Sequence, residues 1–195
     1  MKDTINYYNL NADVFIEGTI NVDMTEIQSR FLSKIPEKSA ILDLGCGSGR
    51  DSKLFSNLGH SVTPVDGSPE LCKKAATHTG LPVRCLLFED LDYTAEFDAV
   101  WACASLLHVE KAKMPHVLNL VSHALKDNGI LYVSYKYGSE QRFHHGRLFS
   151  DYTEDDISSL FSPSNHLCCL EWWVTEDVRA DRKNEKWINI ICQKT

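Results

Sequence analysis

Strand-like and helix-like runs alternate along most of the 195 residues, and this alternation constrains the fold more than any other feature. Such a chain is expected to form a largely parallel sheet with helices packed on both faces. Five predicted strands are followed by crossovers, and the last two form a terminal pair. They are Ala40–Leu44, Ser61–Val65, Pro82–Phe88, Asp98–Cys103, Ile130–Lys136, Cys168–Thr175 and Lys186–Cys192. The predicted fold class is α/β, a doubly wound, mainly parallel seven-stranded sheet with a terminal antiparallel strand.

Local signals place the predicted helices between these strands. Ser68 precedes a proline and a glutamate, which is typical of an N-cap. Thr153, with Asp156 three residues later, predicts a capping box. Pro64 argues against a central strand, because proline removes a ladder donor. The predicted helices cover Thr25–Lys34, Asp51–Asn57, a segment from Pro69, Lys111–Leu125 and a segment after Thr153.

The net charge, the cysteines and the lengths of the apolar runs limit the classes of protein to which this chain could belong. A formal net charge of -7 argues against sequence-independent nucleic-acid binding, although a local basic patch remains compatible with it. The 7 cysteines are scattered and form no C-x-x-C pair, so we expect reduced thiols and no zinc site. No signal peptide and no apolar run of membrane-spanning length is evident, which favours a cytoplasmic protein. We expect one domain over residues 1–195, with an N-terminal lid at 1–35 and a substrate loop at 137–152.

The segment "ILDLGCGSGRD" joins a buried strand to a helix through a glycine-rich turn. Gly45, Gly47 and Gly49 allow a ligand to approach the main chain at the helix N-terminus, where N–H groups point outward. Asp66 ends the next strand, where a carboxylate can accept the hydroxyls of a ribose. A dinucleotide is the alternative ligand, but the G-x-G-x-x-G fingerprint would need glycine where Arg50 stands.

Four motifs in order, "LDLGCGSG", "VDGS", "FDAVWACASLLHV" and "ALKDNGILYVSYK", resemble those of the class I S-adenosylmethionine-dependent methyltransferases. The resemblance implies a Rossmann-like fold and S-adenosyl-L-methionine as cofactor. The chain is also similar in size and in "LGCGSGRDS" to the tellurite-resistance branch of that family, which keeps small inorganic or thiol acceptors open.

The resemblance also implies positions for the cofactor. Asp43 and Gly45 would lie near the methionine amino group, although Asp43 could equally order the loop backbone. Asp66 would bind the ribose, and Ala102 to Ala104 would line the sulfur end. Phe88 and Glu89 would lie beside the adenine, although "FEDLD" departs from the family's common glycine-aspartate step. The full predicted cofactor set is Asp43, Gly45, Cys46, Gly47, Arg50, Asp66, Gly67, Ser68, Phe88, Glu89, Ala102, Cys103 and Ala104.

Three residues are candidates for catalysis: His108, Tyr8 and Lys136. His108 follows the fourth strand, where a neutral imidazole could act as a base, orient the acceptor or simply pack on the next helix. Tyr7 and Tyr8 belong to "INYYNLNADVF", which is predicted to fold over the cofactor as a lid; the alternative is an amphipathic helix at the core edge. Lys136 ends the fifth strand.

Basic residues gather in two segments that this fold places near the mouth of the site. With Tyr7, we predict Arg142, Arg147 and Arg179 as substrate-binding residues, the arginines clamping a carboxylate or phosphate. Arg182 and Lys183 belong to a run of alternating charge and favour a solvated loop. No metal is expected at His144 and His145, since no further ligands complete a site.

These observations predict methyl transfer from S-adenosylmethionine to a small anionic acceptor by in-line displacement. Two alternatives remain open. One is a nucleotide or nucleic-acid methyltransferase in which an exposed tryptophan stacks on a base. The other is a cofactor-binding subunit that needs a partner protein for catalysis. The methylated atom and the oligomeric state are left open by the sequence.

Overall fold

The computed structural model describes residues 2–161, 166–179, 182 and 184–195, and these form helices and strands in the predicted alternation. The helices are α1 Lys2–Leu10, α2 Ala12–Glu17, α3 Thr25–Leu32, α4 Arg50–Asn57, α5 Pro69–Thr79, α6 Met114–Ala124 and α7 Glu154–Leu160. The strands are β1 Ala40–Leu44, β2 Ser61–Asp66, β3 Arg84–Cys85, β4 Phe97–Ala102, β5 Leu125–Lys136, β6 Gln141–His144, β7 Arg147–Ser150, β8 Leu167–Glu176 and β9 Lys186–Lys194.

Seven strands form one sheet in the order β3-β2-β1-β4-β5-β9-β8. The first five are parallel, and β9 runs antiparallel to both β5 and β8. The predicted fold class is confirmed. The strand order reverses at β1 and β4, so their carboxyl ends open the crevice where ligands bind in sheets of this kind.

Helices cover both faces of the sheet. On one face, α3 and α4 bury Phe31 and Phe55 against Trp101 of β4. On the other face, α6 buries Met114, Val117, Leu118 and Val121, an apolar stripe at helical spacing. Because helices cover both faces of the sheet, the side chains of β1 and β4 are buried whichever face they point to.

Pro64 lies inside β2, and the sheet topology explains why it is tolerated. The carbonyl of Val65 faces β1, where it accepts bonds from Gly45 and Cys46. Pro64 therefore faces the opposite side, where β3 pairs only with Val65 and Asp66. The missing N–H falls where the sheet offers no partner, and the predicted strand is present.

Several predicted boundaries were wrong. The third strand is only two residues long and is followed by a 3₁₀ turn at Phe88–Asp90. The predicted helix Lys111–Leu125 begins as a 3₁₀ turn, and Leu125 already belongs to β5.

The expected substrate loop, residues 137–152, contains the hairpin β6–β7. Its two-residue turn, His145 and Gly146, has φ of 48° and 75°, as a turn that matches the strand twist requires.

Candidate functional site

The glycine turn after β1 is held by the end of β2. The N–H groups of Gly45 and Cys46 both donate to the carbonyl of Val65, over 2.8 and 2.9 Å. Gly45, Gly47 and Gly49 have φ of 84°, 55° and 77°. A Cβ on Gly45 would lie 2.4 Å from the Cβ of Ser105, so the turn needs glycine both for its backbone and for this close approach.

Asp66 connects the ends of β1 and β2. Its carboxylate accepts hydrogen bonds from the N–H groups of Gly47, at 2.9 Å, and Ser68, at 2.8 Å. Burial raises the pKa of this carboxyl, although these backbone bonds act against the shift. Asp66, Gly67 and Gly47 all line one small cavity beside the glycine turn.

The N-terminal helices close over that cavity. A Cβ on Gly67 would meet Ile5 at 2.7 Å, and a Cβ on Gly47 would meet Phe15 at 3.0 Å. Asn9 accepts a 2.6 Å hydrogen bond from the hydroxyl of Ser68. The cavity measures only about 60 Å³, far below the roughly 300 Å³ at which ordinary ligand pockets begin.

A much larger pocket of about 700 Å³ opens on the other side of the glycine turn. At its inner end, the Asp51 carboxylate accepts hydrogen bonds from Gln28, Arg50 and Trp101 at 2.7 to 2.9 Å. Asp43 accepts a 2.5 Å bond from Ser52. Burial, aided by the charge of Asp51, raises the pKa of Asp43 to about 7.

Tyr8 and His108 meet where the two cavities adjoin. The Nδ1 of His108 lies 2.6 Å from the carbonyl of Leu148, which can only accept, so Nδ1 carries the proton. The hydroxyl of Tyr8 therefore donates to the unprotonated Nε2 over 2.8 Å. Burial lowers the pKa of His108 to about 4, so its imidazole is neutral at physiological pH.

Arg147 is set among aromatic rings in the large pocket. Its guanidinium carbon lies 4.3 Å from the ring centroid of Tyr7, 5.1 Å from that of Phe149 and 5.9 Å from that of Tyr8. Its Nε is buried and has no hydrogen-bond partner. Within the described part of the chain, Arg147 forms no ion pair with a carboxylate, which leaves a cation facing the pocket.

The other predicted cations of this pocket already have carboxylate partners. Lys136 pairs with Asp177 and Glu185, and its ammonium lies 4.1 Å from the ring centroid of Trp187. Arg142 pairs with Asp151 and Arg179 with Asp177.

Burial by itself would raise the pKa of Asp177, but hydrogen bonds from Arg179 and Trp187 outweigh it and lower that pKa. Arg182 also lines the pocket. Lys183 lies outside the described residues.

The structure brings most of the predicted cofactor residues together and leaves three aside. Around the two cavities lie Asp43, Gly45, Cys46, Gly47, Arg50, Asp66, Gly67, Phe88, Cys103 and Ala104. Ser68 is buried at the N-cap of α5 and holds Asn9. Glu89 instead pairs with Lys113 at 3.0 Å, and Ala102 is fully buried in the sheet.

Sequence reasoning missed Thr4, Ile5 and Asn9, which lie on the face of α1 that contacts this region. The spacing of Thr4 and Tyr8, four residues apart, is the signal that could have indicated a shared helix face.

Comparisons with known proteins bear on the same region. Residues 41–129, from β1 to the start of β5, match the family described as "Methyltransferase domain". The whole fold superposes on 1,6-didemethyltoxoflavin-N1-methyltransferase of Burkholderia thailandensis with a TM-score of 0.77 at 23% identity, covering 98% of this chain and 85% of that one. These matches bear out the predicted resemblance to the class I S-adenosylmethionine-dependent methyltransferases. They also support S-adenosylmethionine as the cofactor.

Curated relatives match this chain over part of their own length. The ubiquinone biosynthesis O-methyltransferase of Xylella fastidiosa (strain 9a5c) is 34% identical over 57% of this chain and 48% of its own length. The putative methyltransferase YqeM of Bacillus subtilis (strain 168) is 30% identical over 71% of this chain and 60% of its own. The chain thus spans about half the length of the first relative. Placement in the tellurite-resistance branch stays a prediction.

None of the helices in the described ranges has both the length and the apolarity that crossing a bilayer requires.

Proposed function

We propose that this methyltransferase transfers the methyl group of S-adenosylmethionine to a small anionic acceptor bound at Arg147. The observation that carries the proposal is the half-buried, aromatic setting of Arg147, with its Nε buried, and its lack of an ion-pair partner among the described residues. A guanidinium held this way favours a carboxylate or phosphate, because the surrounding rings exclude water and strengthen the attraction.

The glycine turn and its neighbours would hold the cofactor. Asp66 lies where the ribose hydroxyls can reach its carboxylate, and Phe88 offers a ring to the adenine. Asp43 and Cys103 line the inner end of the large pocket, where the methionine part would extend. A lid role for α1 and α2 is consistent with Ile5 and Phe15, which reduce the space beside Asp66 to about 60 Å³.

The proposed reaction mainly requires alignment. The acceptor attacks the methyl carbon in line with the bond to sulfur; the carbon–sulfur bond breaks, and its electron pair neutralises the sulfonium. A histidine whose pKa is about 4 is a weak base, so His108 orients the Tyr8 hydroxyl and does not remove the acceptor proton. The site therefore suits an acceptor that is already a nucleophile when it binds.

Calorimetry tests the cofactor part of the proposal first. S-adenosylmethionine and NADH are titrated separately into the wild type and Asp66→Ala. We expect saturable binding of the sulfonium cofactor that is weakened at least tenfold by the substitution, which corresponds to about 1.4 kcal/mol. Binding of NADH and not of S-adenosylmethionine would contradict the proposal.

A screen of small carboxylates and phosphates, scored by S-adenosylhomocysteine formation, tests the acceptor part. Arg147→Met should raise the acceptor KM. Arg142→Met is the matched control, because Arg142 lines the same pocket but is paired with Asp151. Turnover only of neutral acceptors, or equal effects of the two substitutions, would refute the anionic assignment.

The two alternatives are tested with the same protein. Salt-sensitive binding of RNA or DNA would favour a nucleic-acid acceptor. Cofactor binding without turnover until a second polypeptide is added would favour a subunit role.

A further inference from the structure

The peptide group of Leu148 is held from both sides by side chains of the site. Its N–H donates to the Oγ1 of Thr4 over 3.1 Å, and its carbonyl accepts from Nδ1 of His108 over 2.6 Å. His108 in turn accepts from Tyr8. The hydrogen bonds therefore run from Thr4 through Leu148 and His108 to Tyr8. Both ends of this series lie on α1, because Thr4 and Tyr8 are one helical turn apart.

These bonds lie on the outer edge of β7. Leu148 is opposite Phe143 in the hairpin, and the neighbouring pair His144 and Arg147 closes the two-residue turn. In an antiparallel ladder the pairs alternate, so the N–H and carbonyl of Leu148 point away from β6. At this edge, the side chains of Thr4 and His108 supply the hydrogen-bond partners that a further strand would otherwise supply. Thr4 is 2% exposed and Leu148 2%, so water cannot easily replace either bond.

We propose that Thr4 is a positioning residue for the methyl-transfer site, acting through the Leu148 peptide on His108 and on the adjacent Arg147. The inference rests on the proposed function for its catalytic meaning. Without the Thr4 hydroxyl, the Leu148 N–H is left buried and unpaired, and β7 must shift to reach water. That shift moves the Leu148 carbonyl away from Nδ1 of His108, which releases the imidazole from its fixed tautomer. It also displaces the guanidinium of Arg147.

The tautomer of His108 gives a test that needs no turnover. Two-bond proton–nitrogen NMR spectra of the histidine rings distinguish a proton on Nδ1 from one on Nε2. Among the 8 histidines, His108 is assigned by its loss in His108→Gln. The wild type should show the proton on Nδ1 only. Thr4→Val, which keeps the shape and removes the hydroxyl, should show a population protonated on Nε2. Thr4→Ser should restore the wild-type pattern.

The control is Thr77→Val on α5, whose hydroxyl bonds only to the helix carbonyl of Lys73. It should leave the His108 signals unchanged. A Thr4→Val protein that is folded by circular dichroism and keeps the proton on Nδ1 alone would overturn the inference, as would a failure of Thr4→Ser to restore it. If Thr4→Val does not fold, Thr4→Ala and Thr4→Ser are compared in the same way.

Kinetics give the second readout once an acceptor is in hand. Thr4→Val should lower kcat by up to about 10²-fold, because alignment in the transition state is lost, with rescue by Thr4→Ser. Unchanged kcat and acceptor KM in Thr4→Val would contradict the positioning role. Because the tautomer is measured without cofactor or acceptor, the wrong acceptor class would leave the NMR result intact, and the two failures can be told apart.

Discussion

The hydroxyl oxygen of Tyr8 lies 2.8 Å from Nε2 of His108, although the two residues are 100 positions apart in the chain. The bond joins the first helix to the loop after β4 and fixes His108 as a neutral hydrogen-bond acceptor. The protonation of one imidazole is thereby linked to the docking of α1, and the pH dependence of stability reports on it.

His108 should make the protein less stable as the pH falls from about 6.5 to about 4. Burial lowers its pKa from 6.5 to about 4, so in this range the unfolded chain takes up a proton that the folded protein does not. The contribution is intact above pH 6.5 and amounts to about 3 kcal/mol when fully lost. Urea unfolding at several pH values measures it. His108→Gln should remove that slope.

Asp43 acts in the opposite direction over the same range, because its pKa is raised. The difference between wild type and His108→Gln isolates the histidine, since Asp43 is present in both. Identical pH dependence of the two proteins would show that folding does not lower the pKa of His108.

Gly67→Ala should loosen α1. The new methyl group would lie 2.7 Å from Cδ1 of Ile5, which must move. The backbone of Gly67 does not have positive φ, so the effect comes from the contact and not from strain. Limited proteolysis should cut the N-terminal segment faster, and Ile5→Ala in the same chain should partly reverse the change. Additive effects of the two substitutions would mean that they do not interact.

Asp51→Asn should destabilise the fold by about 3 kcal/mol. The carboxylate is 7% exposed and binds Arg50, Gln28 and Trp101 together, and an amide cannot accept from all of them. Removing the negative charge also leaves Arg50 without the partner at 2.8 Å. Chemical denaturation measures the loss. Asp92→Asn, at the exposed pair with Arg84, is the control and should cost far less.

Lys136→Gln should act chiefly on stability. Its ammonium lies between two carboxylates and over the ring of Trp187, so its loss leaves buried negative charge on Asp177 without one of its partners. We expect the free energy of unfolding to fall by more than for Lys126→Gln, whose pair with Asp98 is half exposed. A drop in kcat with unchanged stability would instead support the predicted catalytic role of Lys136.

The sequence was most informative where periodicity and local capping agree. β1 was predicted to the residue, and the capping box of Thr153 and Asp156 is present, because each depends on neighbours in the chain. The family motifs also located the glycine turn. These features could be predicted because a buried strand and a helix start each require a characteristic local composition.

Tertiary contacts account for what was missed. The pairing of Lys136 with Asp177 depends on segments 41 residues apart meeting, and that of Arg142 with Asp151 depends on the β6–β7 hairpin; composition reveals neither. The hairpin turn at His145 and Gly146 was not predicted, because positive φ at a residue other than glycine is uncommon and His145 gave no local signal for it. Arg147 is distinguished by the three rings around it and by the lack of a carboxylate partner among the described residues, and both depend on tertiary contacts.

The tight packing of Ile5 and Phe15 on the glycine loops has a kinetic consequence. A space of about 60 Å³ cannot take a nucleoside, so if the nucleoside binds there as proposed, α1 and α2 must move away before the cofactor enters and again before the demethylated product leaves. The frequency at which these helices open would then set an upper bound on the number of catalytic cycles per second, whatever the acceptor. Weakening either contact would then speed the release of product while slowing the methyl transfer itself.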